Sequence, residues 1–521
     1  MYPLFAWMHN HSKWLIIILF MLLLPLANPR VYATDEVQYY VYLRSLRFDA
    51  DLDFANDYRE LARRNPQSGI EASLLQANRI RPLTGLYGNI APVGCAIMWA
   101  PFFLAADGLV HLANLFGAAI PADGYSKPYI FSVCYASAFY GLLGLFLCQR
   151  MAARYTSENA ATLATIALWL ASPLVFYMFI QMPFAHATGF FLTALFLTLW
   201  IRLRAQPTQS PNIPHAALQN NTPHCAAFLF SRLHHPMWWP LLGLVAGLMT
   251  MTREQLGLFL VLPLLDAFIY YGSFIWRRQW GTIGQLFWRH VLFAAMFALS
   301  LTPQFVAYQV LNGTPRPAGE VSGRINWCSP HAIDTLIDYN PAPSAWCHTV
   351  GDFTADFPPF SRGAFVWSPV LLLGLLGLGL LARRDAMLAL SLLLAFLAQT
   401  YINGAYGTTW HLRGAFGFRR LIECTPIFIL GLALVIDKVM GQRSATGWRG
   451  WLVLTATLLL ITWNAGLILN ATFFESETQL RRIGLTWPHT WVWQAELPGK
   501  VASRLNEILF ERCRFVQNGR C

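Results

Sequence analysis

The chain has 521 residues, of which 56% are hydrophobic and only 12% charged, with 20 Trp and 37 Phe. That composition excludes an ordinary soluble domain and, with apolar runs of about 17–25 residues recurring along the chain, specifies a polytopic helical membrane protein. The formal net charge of +11 is then a topology signal and not a nucleic-acid footprint, and the nine cysteines show no CxxC or Cys/His spacing for structural zinc.

The first predicted span is Trp14–Arg30, followed by Tyr129–Gln149, Ala160–Ile180 and Phe184–Arg202. Trp238–Thr250 and Leu256–Trp276 form a tight pair before Val291–Leu311, and the last four are Ala364–Leu381, Ala386–Ile402, Leu421–Asp437 and Trp451–Asn470. Arg150, Arg154, Arg202, Arg204, Arg232, Arg277, Arg278, Arg289, Arg383, Arg384, Lys438, Arg443 and Arg449 fall in alternate connections, which the positive-inside rule makes cytoplasmic. With the N-terminus inside, residues 31–128 begin and end outside. The apolar stretch 91–116 is therefore expected not to cross, with Pro101, Asp107 and His111 interrupting it as juxtamembrane or re-entrant helices. About eleven crossings result. Residues 14–33 also fit a signal peptide, since Lys13, a short apolar core and VYA precede Thr34, and Arg481 and Arg482 argue mildly against an outside C-terminus.

The outer face then owns loop 31–90, loop 312–362 and the tail 472–521, while the long cytoplasmic connection 203–237 is polar and carries no constellation. Loop 31–90 holds eight acids against seven arginines and opens on the adjacent pair Asp35 and Glu36. If residues 35–47 are helical, Glu36, Tyr40, Arg44 and Arg47 share a face. The plain reading of the acids is a helix start complementing its own dipole; the sharper one is a catalytic carboxylate at the lipid–water boundary. Asp49, Asp51, Asp53, Asp57 and Glu60 occupy EF-hand positions, but the sixth position needs Gly for its sharp turn and has Phe54. A solvated acidic loop fits better.

Arginines at outer helix ends form the second set. TREQ places Arg253 and Glu254 at an outer turn, and WHLRGAFGFRR places His411, Arg413, Arg419 and Arg420 before the tenth span. Arg grips phosphate with a rigid bidentate fork; the competing reading is a snorkelling anchor or an ion pair with Glu423 or Glu254. In loop 312–362, Cys328 and Cys347 are candidates for a disulfide, which would contribute about 3 kcal/mol. A His/Asp metal site among His331, His348, Asp334, Asp338 and Asp352 has no diagnostic spacing.

TDE at 34–36, DLDF at 51–54, NIAPVGCAIMWAPFF at 89–103, MPFAHATGFF at 182–191, TREQ at 252–255, RGAFVWSPVLLLGLLGL at 362–378 and FGFRRLIECTPIFILGLA at 416–433 follow one order along the chain. Together with the topology, they resemble the GT-C class of integral-membrane glycosyltransferases, in particular the protein O-mannosyltransferase and aminoarabinose-transferase branch. The departure is at Ile90-Ala91-Pro92, where a Lys-Tyr or His-Pro pair is expected before Val93-Gly94.

The resemblance implies an all-α GT-C-like domain over 1–471, with juxtamembrane helices in the outer catalytic loop 31–128. It further implies a multi-pass protein of the inner (plasma) membrane with its site on the periplasmic, extracytoplasmic side. The donor would be a sugar on a polyprenyl phosphate and the acceptor a glycan, lipid or protein. Asp35 would be the general base of an inverting transfer, with Glu36 beside it, and Arg253, Arg419 and Arg420 would hold the donor phosphate. Tyr40, Arg44, Asn89, His186, Arg362 and His411 are candidate donor or acceptor contacts. Sugar identity and dependence on a divalent cation stay open. The alternative from another class is a transporter or flippase, against which the near absence of charge within the spans counts.

Overall fold

The computed structural model describes residues 14–204, 237–278, 280–319, 325–327, 331–337, 363–406, 409–410, 412, 415–441, 448–471 and 487–511. Cys328, Cys347, Arg362 and His411 lie outside the described residues. What is described is helical, with two isolated bridges, Ile80–Tyr87 and Ile325–Tyr406.

In chain order the main helices are α1 (Trp14–Leu26), α2 (Thr34–Arg44), α3 (Ala55–Arg64), α4 (Gly94–Leu115), α5 (Lys127–Ala152), α6 (Glu158–Leu170), α7 (Leu174–Phe179) and α8 (Ala185–Arg204). After them come α9 (Trp238–Thr252), α10 (Val261–Trp276), α11 (Trp280–Ser300), α12 (Thr302–Asn312), α13 (Pro369–Ala382), α14 (Ala386–Ala405), α15 (Thr425–Met440), α16 (Trp448–Leu469) and α17 (Trp487–Ser503). Seven helical stretches are long and apolar enough to cross a membrane, and α1, α9 and α13 are shorter apolar helices. Every one of the eleven expected spans is occupied by helix. Ala160–Ile180 divides into α6 and α7 at Ser172-Pro173, where proline cannot continue the hydrogen-bond ladder of a preceding helix.

One expectation needs correcting. Residues 94–115 form a single helix with Pro101 inside it, so Pro101, Asp107 and His111 do not interrupt the stretch. Burying a carboxylate within an apolar helix is tolerated where it has partners, and Asp107 has three. It accepts from Tyr129 Oη at 2.6 Å, lies 2.7 Å from Arg47 Nη2 and stands 3.5 Å from His111 Nε2.

The bundle core is built by close backbone approach as much as by side chains. A side chain at Gly377 of α13 would collide with the Gly431 carbonyl of α15, so these helices pack at the distance small residues permit. A second apolar layer sits around α2–α4. Tyr40, Phe54, Tyr58, Trp99, Phe103 and Tyr129 are fully buried there, and several ring pairs of the layer meet edge to face, Tyr42 on Phe54 and Phe48 on Tyr129 among them. This layer holds the start of α2 firmly over the helical bundle.

Candidate functional site

The chain leaves α1 at Leu26 and, after a seven-residue connection, enters α2, which puts Thr34, Asp35 and Glu36 in its first turn. Helix geometry separates neighbouring side chains by about 100°, and the two acids part company. Glu36 turns back: its Oε2 accepts the backbone N–H groups of Tyr32 at 2.7 Å and Ala33 at 2.9 Å, the half of a capping box that the third helical residue supplies, the N-cap Ala33 having no side-chain acceptor for the other half. Burial pushes its carboxyl up to about 7, against the opposing pull of those two N–H groups. Asp35 turns outward and accepts from Arg419 Nη2 at 2.6 Å, with 40% of its side chain exposed.

Arg419 belongs to a 3-10 turn, Arg419–Cys424, leading into α15. Its guanidinium lies over the Phe184 ring, 4.8 Å from the centroid, and its other N–H groups have no partner among the described residues. Arg420 donates from Nη2 to Thr409 Oγ1 at 2.8 Å and rests on the Tyr406 ring at 4.9 Å. Its Nη1 is buried with no hydrogen-bond partner. Burial, and then the neighbouring Arg253 and Arg419, push the Arg420 pKa down to about 9. A buried cation pressed by two others has the electrostatics of a site built for an anion.

The same turn faces inward through Glu423, which is 1% exposed. Arg253 Nη1 sits 2.7 and 2.8 Å from the two Glu423 oxygens, and His186 Nδ1 is 3.0 Å from Oε1. His186 is stacked on Phe184 and met edge-on by Tyr177. Of the two readings of Arg253, the ion pair with Glu423 is therefore made by Nη1. The TREQ turn is anchored further by Gln399, whose Nε2 donates to the Gln255 carbonyl at 2.7 Å, while Gln255 reaches Asn403 at 3.3 Å.

The other sequence candidates are engaged elsewhere. Tyr40 Oη donates to the Gly124 carbonyl and Arg44 pairs with Asp49, with Asp57 at 3.5 Å. Asn89 donates to the Gln38 carbonyl at 2.8 Å and accepts from Ala91 N at 2.9 Å, fixing the strand of chain before α4 to α2. The acids of the EF-hand-like run are used locally: Asp51 accepts from Ser45 and from Asp53 N, Asp53 from Ala55 N, and Asp57 from Tyr125 Oη at 2.7 Å. Residues the sequence reading passed over are Thr409 and Tyr406, which hold Arg420, and Phe184, which carries both Arg419 and His186. Only Phe184 had a signal, from its place in the MPFAHA segment.

No known family model matches the chain, and no curated protein matches it. Among solved structures it is similar to the oligosaccharyltransferase of Archaeoglobus fulgidus in the apo form, at 13% identity over 94% of this chain and 64% of that one, with a TM-score of 0.49. It is also similar to the oligosaccharyltransferase AglB of Archaeoglobus fulgidus in complex with an inhibitory peptide and a dolichol-phosphate (13% identity, 92% of this chain and 57% of that one, TM-score 0.46). ArnT of Cupriavidus metallidurans in the apo state matches at 14% identity over 92% of this chain and 74% of that one, with a TM-score of 0.37. The chain thus spans less than two thirds of the length of the first two.

Proposed function

We propose that the protein transfers a sugar from a polyprenyl-phosphate-linked donor to an acceptor hydroxyl on the outer face of the membrane, with inversion at the anomeric carbon. The observation that carries this reading is one arrangement: a half-exposed carboxylate, Asp35, bonded to Arg419, beside Arg420 with a buried and unpartnered Nη1. In this reading the acceptor O–H proton passes to Asp35 as the oxygen attacks the anomeric carbon. The anomeric C–O bond breaks and its electron pair leaves on the phosphate oxygen. Arg419 and Arg420 meet that growing charge with N–H groups already in position, which is where electrostatic catalysis is largest. Glu36 serves as the helix cap that aims Asp35, and Arg253 with Glu423 and His186 holds the turn from which both arginines project.

The test is a purified-protein assay for release of polyprenyl phosphate from a panel of labelled polyprenyl-phosphate sugars. Turnover should be detected with at least one donor, and Asp35→Asn should lower it by about 10²–10⁴-fold, the contribution of a positioned base. Arg420→Ala removes a charge-assisted contact of about 1.5–3 kcal/mol and should weaken donor binding by roughly 10–150-fold. A protein that moves labelled donor across vesicles without ever cleaving it is a flippase. Near-normal turnover by Asp35→Asn on a hydroxyl acceptor removes the general-base assignment.

A further inference from the structure

Far from Asp35, at the Arg-rich end of the bundle, α8, α9, α10 and α11 enclose an open cleft of about 100 Å³. A single ordered water needs only about 10–15 Å³ by this measure, so the space admits a phosphate ester. Its wall carries Trp200, Arg204, Asp266, Gln285, Arg289 and His290. Most of these are spoken for. Asp266 accepts from Trp200 Nε1 at 2.9 Å and from Arg204 Nε at 3.1 Å, and Arg204 also reaches both oxygens of Asp385, at 2.6 and 3.2 Å. His290 Nδ1 lies 3.0 Å from Tyr271 Oη and its ring meets Trp239 edge-on. Arg289 differs: it is half-buried and has no hydrogen bond or ion pair among the described residues. Among the described residues, one cation in the cleft is left uncompensated.

The surroundings identify what reaches it. The α10–α11 hairpin exposes Trp276, Trp280 and Trp288 at 89%, 66% and 65%, with Arg277 and Arg278 exposed between the first two. Tryptophan beside arginine is the signature of headgroup depth. The outward faces of the same helices are apolar, with Leu264, Phe268, Leu292 and Leu299 exposed. A molecule that puts an anion on Arg289 therefore has its hydrocarbon run along α10 and α11.

We infer that this cleft is a binding site for the headgroup of an anionic glycerophospholipid of the leaflet at the Arg-rich face, with its phosphodiester on Arg289. The site is independent of the glycosyl-transfer reading and stands or falls alone. Native mass spectrometry of the purified protein with equimolar phosphatidylglycerol and phosphatidylcholine tests it. Wild-type protein should retain phosphatidylglycerol about fivefold over phosphatidylcholine, the discrimination of about 1 kcal/mol that one interfacial arginine gives. Arg289→Gln should bring the ratio to parity, whereas Arg277→Gln and Arg278→Gln, outside the cleft, should leave most of it. Equal retention of the two lipids by wild type overturns the site. So does an unchanged preference in Arg289→Gln, or its loss in the Arg277 and Arg278 variants alone, which would indicate diffuse surface charge. Displacement of the lipid by millimolar inorganic phosphate would mark a soluble-anion site and overturn the lipid assignment. Should Arg289→Gln fold poorly, Arg289→Lys keeps the charge without the fork and should hold an intermediate ratio.

Discussion

Two adjacent acids can share a sequence motif and still do unrelated things, because a helix sends neighbours in different directions. Asp35 and Glu36 were both legible as candidates in TDE, but nothing in the sequence says which is left free to meet Arg419. The decision is made by the two backbone N–H groups just before α2, those of Tyr32 and Ala33, which claim Glu36. A carboxyl raised to about 7 from an unfolded value near 4.5 is favoured protonated in the fold. Its contribution is full below about pH 4.5 and is lost as pH rises through about 7, by on the order of 3 kcal/mol at most. The wild-type melting temperature in detergent should therefore fall between pH 5 and 8, and Glu36→Gln should flatten that fall while keeping the cap and the activity. Glu36→Ala leaves Tyr32 and Ala33 N–H groups without their acceptor and should cost about 0.5–2 kcal/mol. Equal pH dependence of wild type and Glu36→Gln would sink this account.

The decisive element is the turn Arg419–Cys424. Residues three apart eclipse in a 3-10 turn, so the winding alone does not separate Arg420 from Glu423; their partners do, Asp35 and Thr409 drawing Arg419 and Arg420 one way while Arg253 and His186 draw Glu423 into the bundle. FGFRRLIEC shows all three residues at once. Their partition was not legible, since it depends on Arg253 and His186 arriving from helices far away in sequence. Removing one member of a buried ion pair strands the other, at about 3–5 kcal/mol, whereas replacing both with apolar residues is often nearly neutral. Glu423→Gln should thus melt well below wild type, and the double variant Arg253→Met with Glu423→Leu should recover part of the loss. The comparison is thermal unfolding in one detergent at one pH. A Glu423→Gln protein as stable as wild type would mean the cluster does not anchor the turn.

At the scale of the whole molecule, the spans were legible because membrane thickness sets a minimum length that few other constraints imitate. The helix breaks within them were partly written in Pro173 and Pro369, and the long-range pairs were not written at all. The arrangement of spans turns on α4, because one extra crossing would reverse the side of every later connection. Two contacts bear on its course. Asp107 meets Tyr129 at the start of α5, and Tyr140 Oη donates to the Met98 carbonyl at 2.8 Å. Nine residues back along α4 therefore correspond to eleven forward along α5, so the two helices run antiparallel over the first half of α5. Residues 108–115 then extend past the end at which α5 begins, toward the loop where Arg44 reaches the Asp123 carbonyl and Arg64 its carboxylate. Although α4 is long and apolar enough to cross a membrane, this geometry leads us to expect both of its ends on the outer side. Asn89 is buried and unsuitable for labelling, but Leu83 and Ala122 are exposed. Leu83→Cys and Ala122→Cys should both react with an impermeant thiol reagent added outside intact spheroplasts, and Arg278→Cys only after permeabilisation. If Leu83→Cys and Ala122→Cys label from opposite faces, α4 is a crossing, the count becomes twelve, and the Arg-rich connections no longer share the cytoplasmic side.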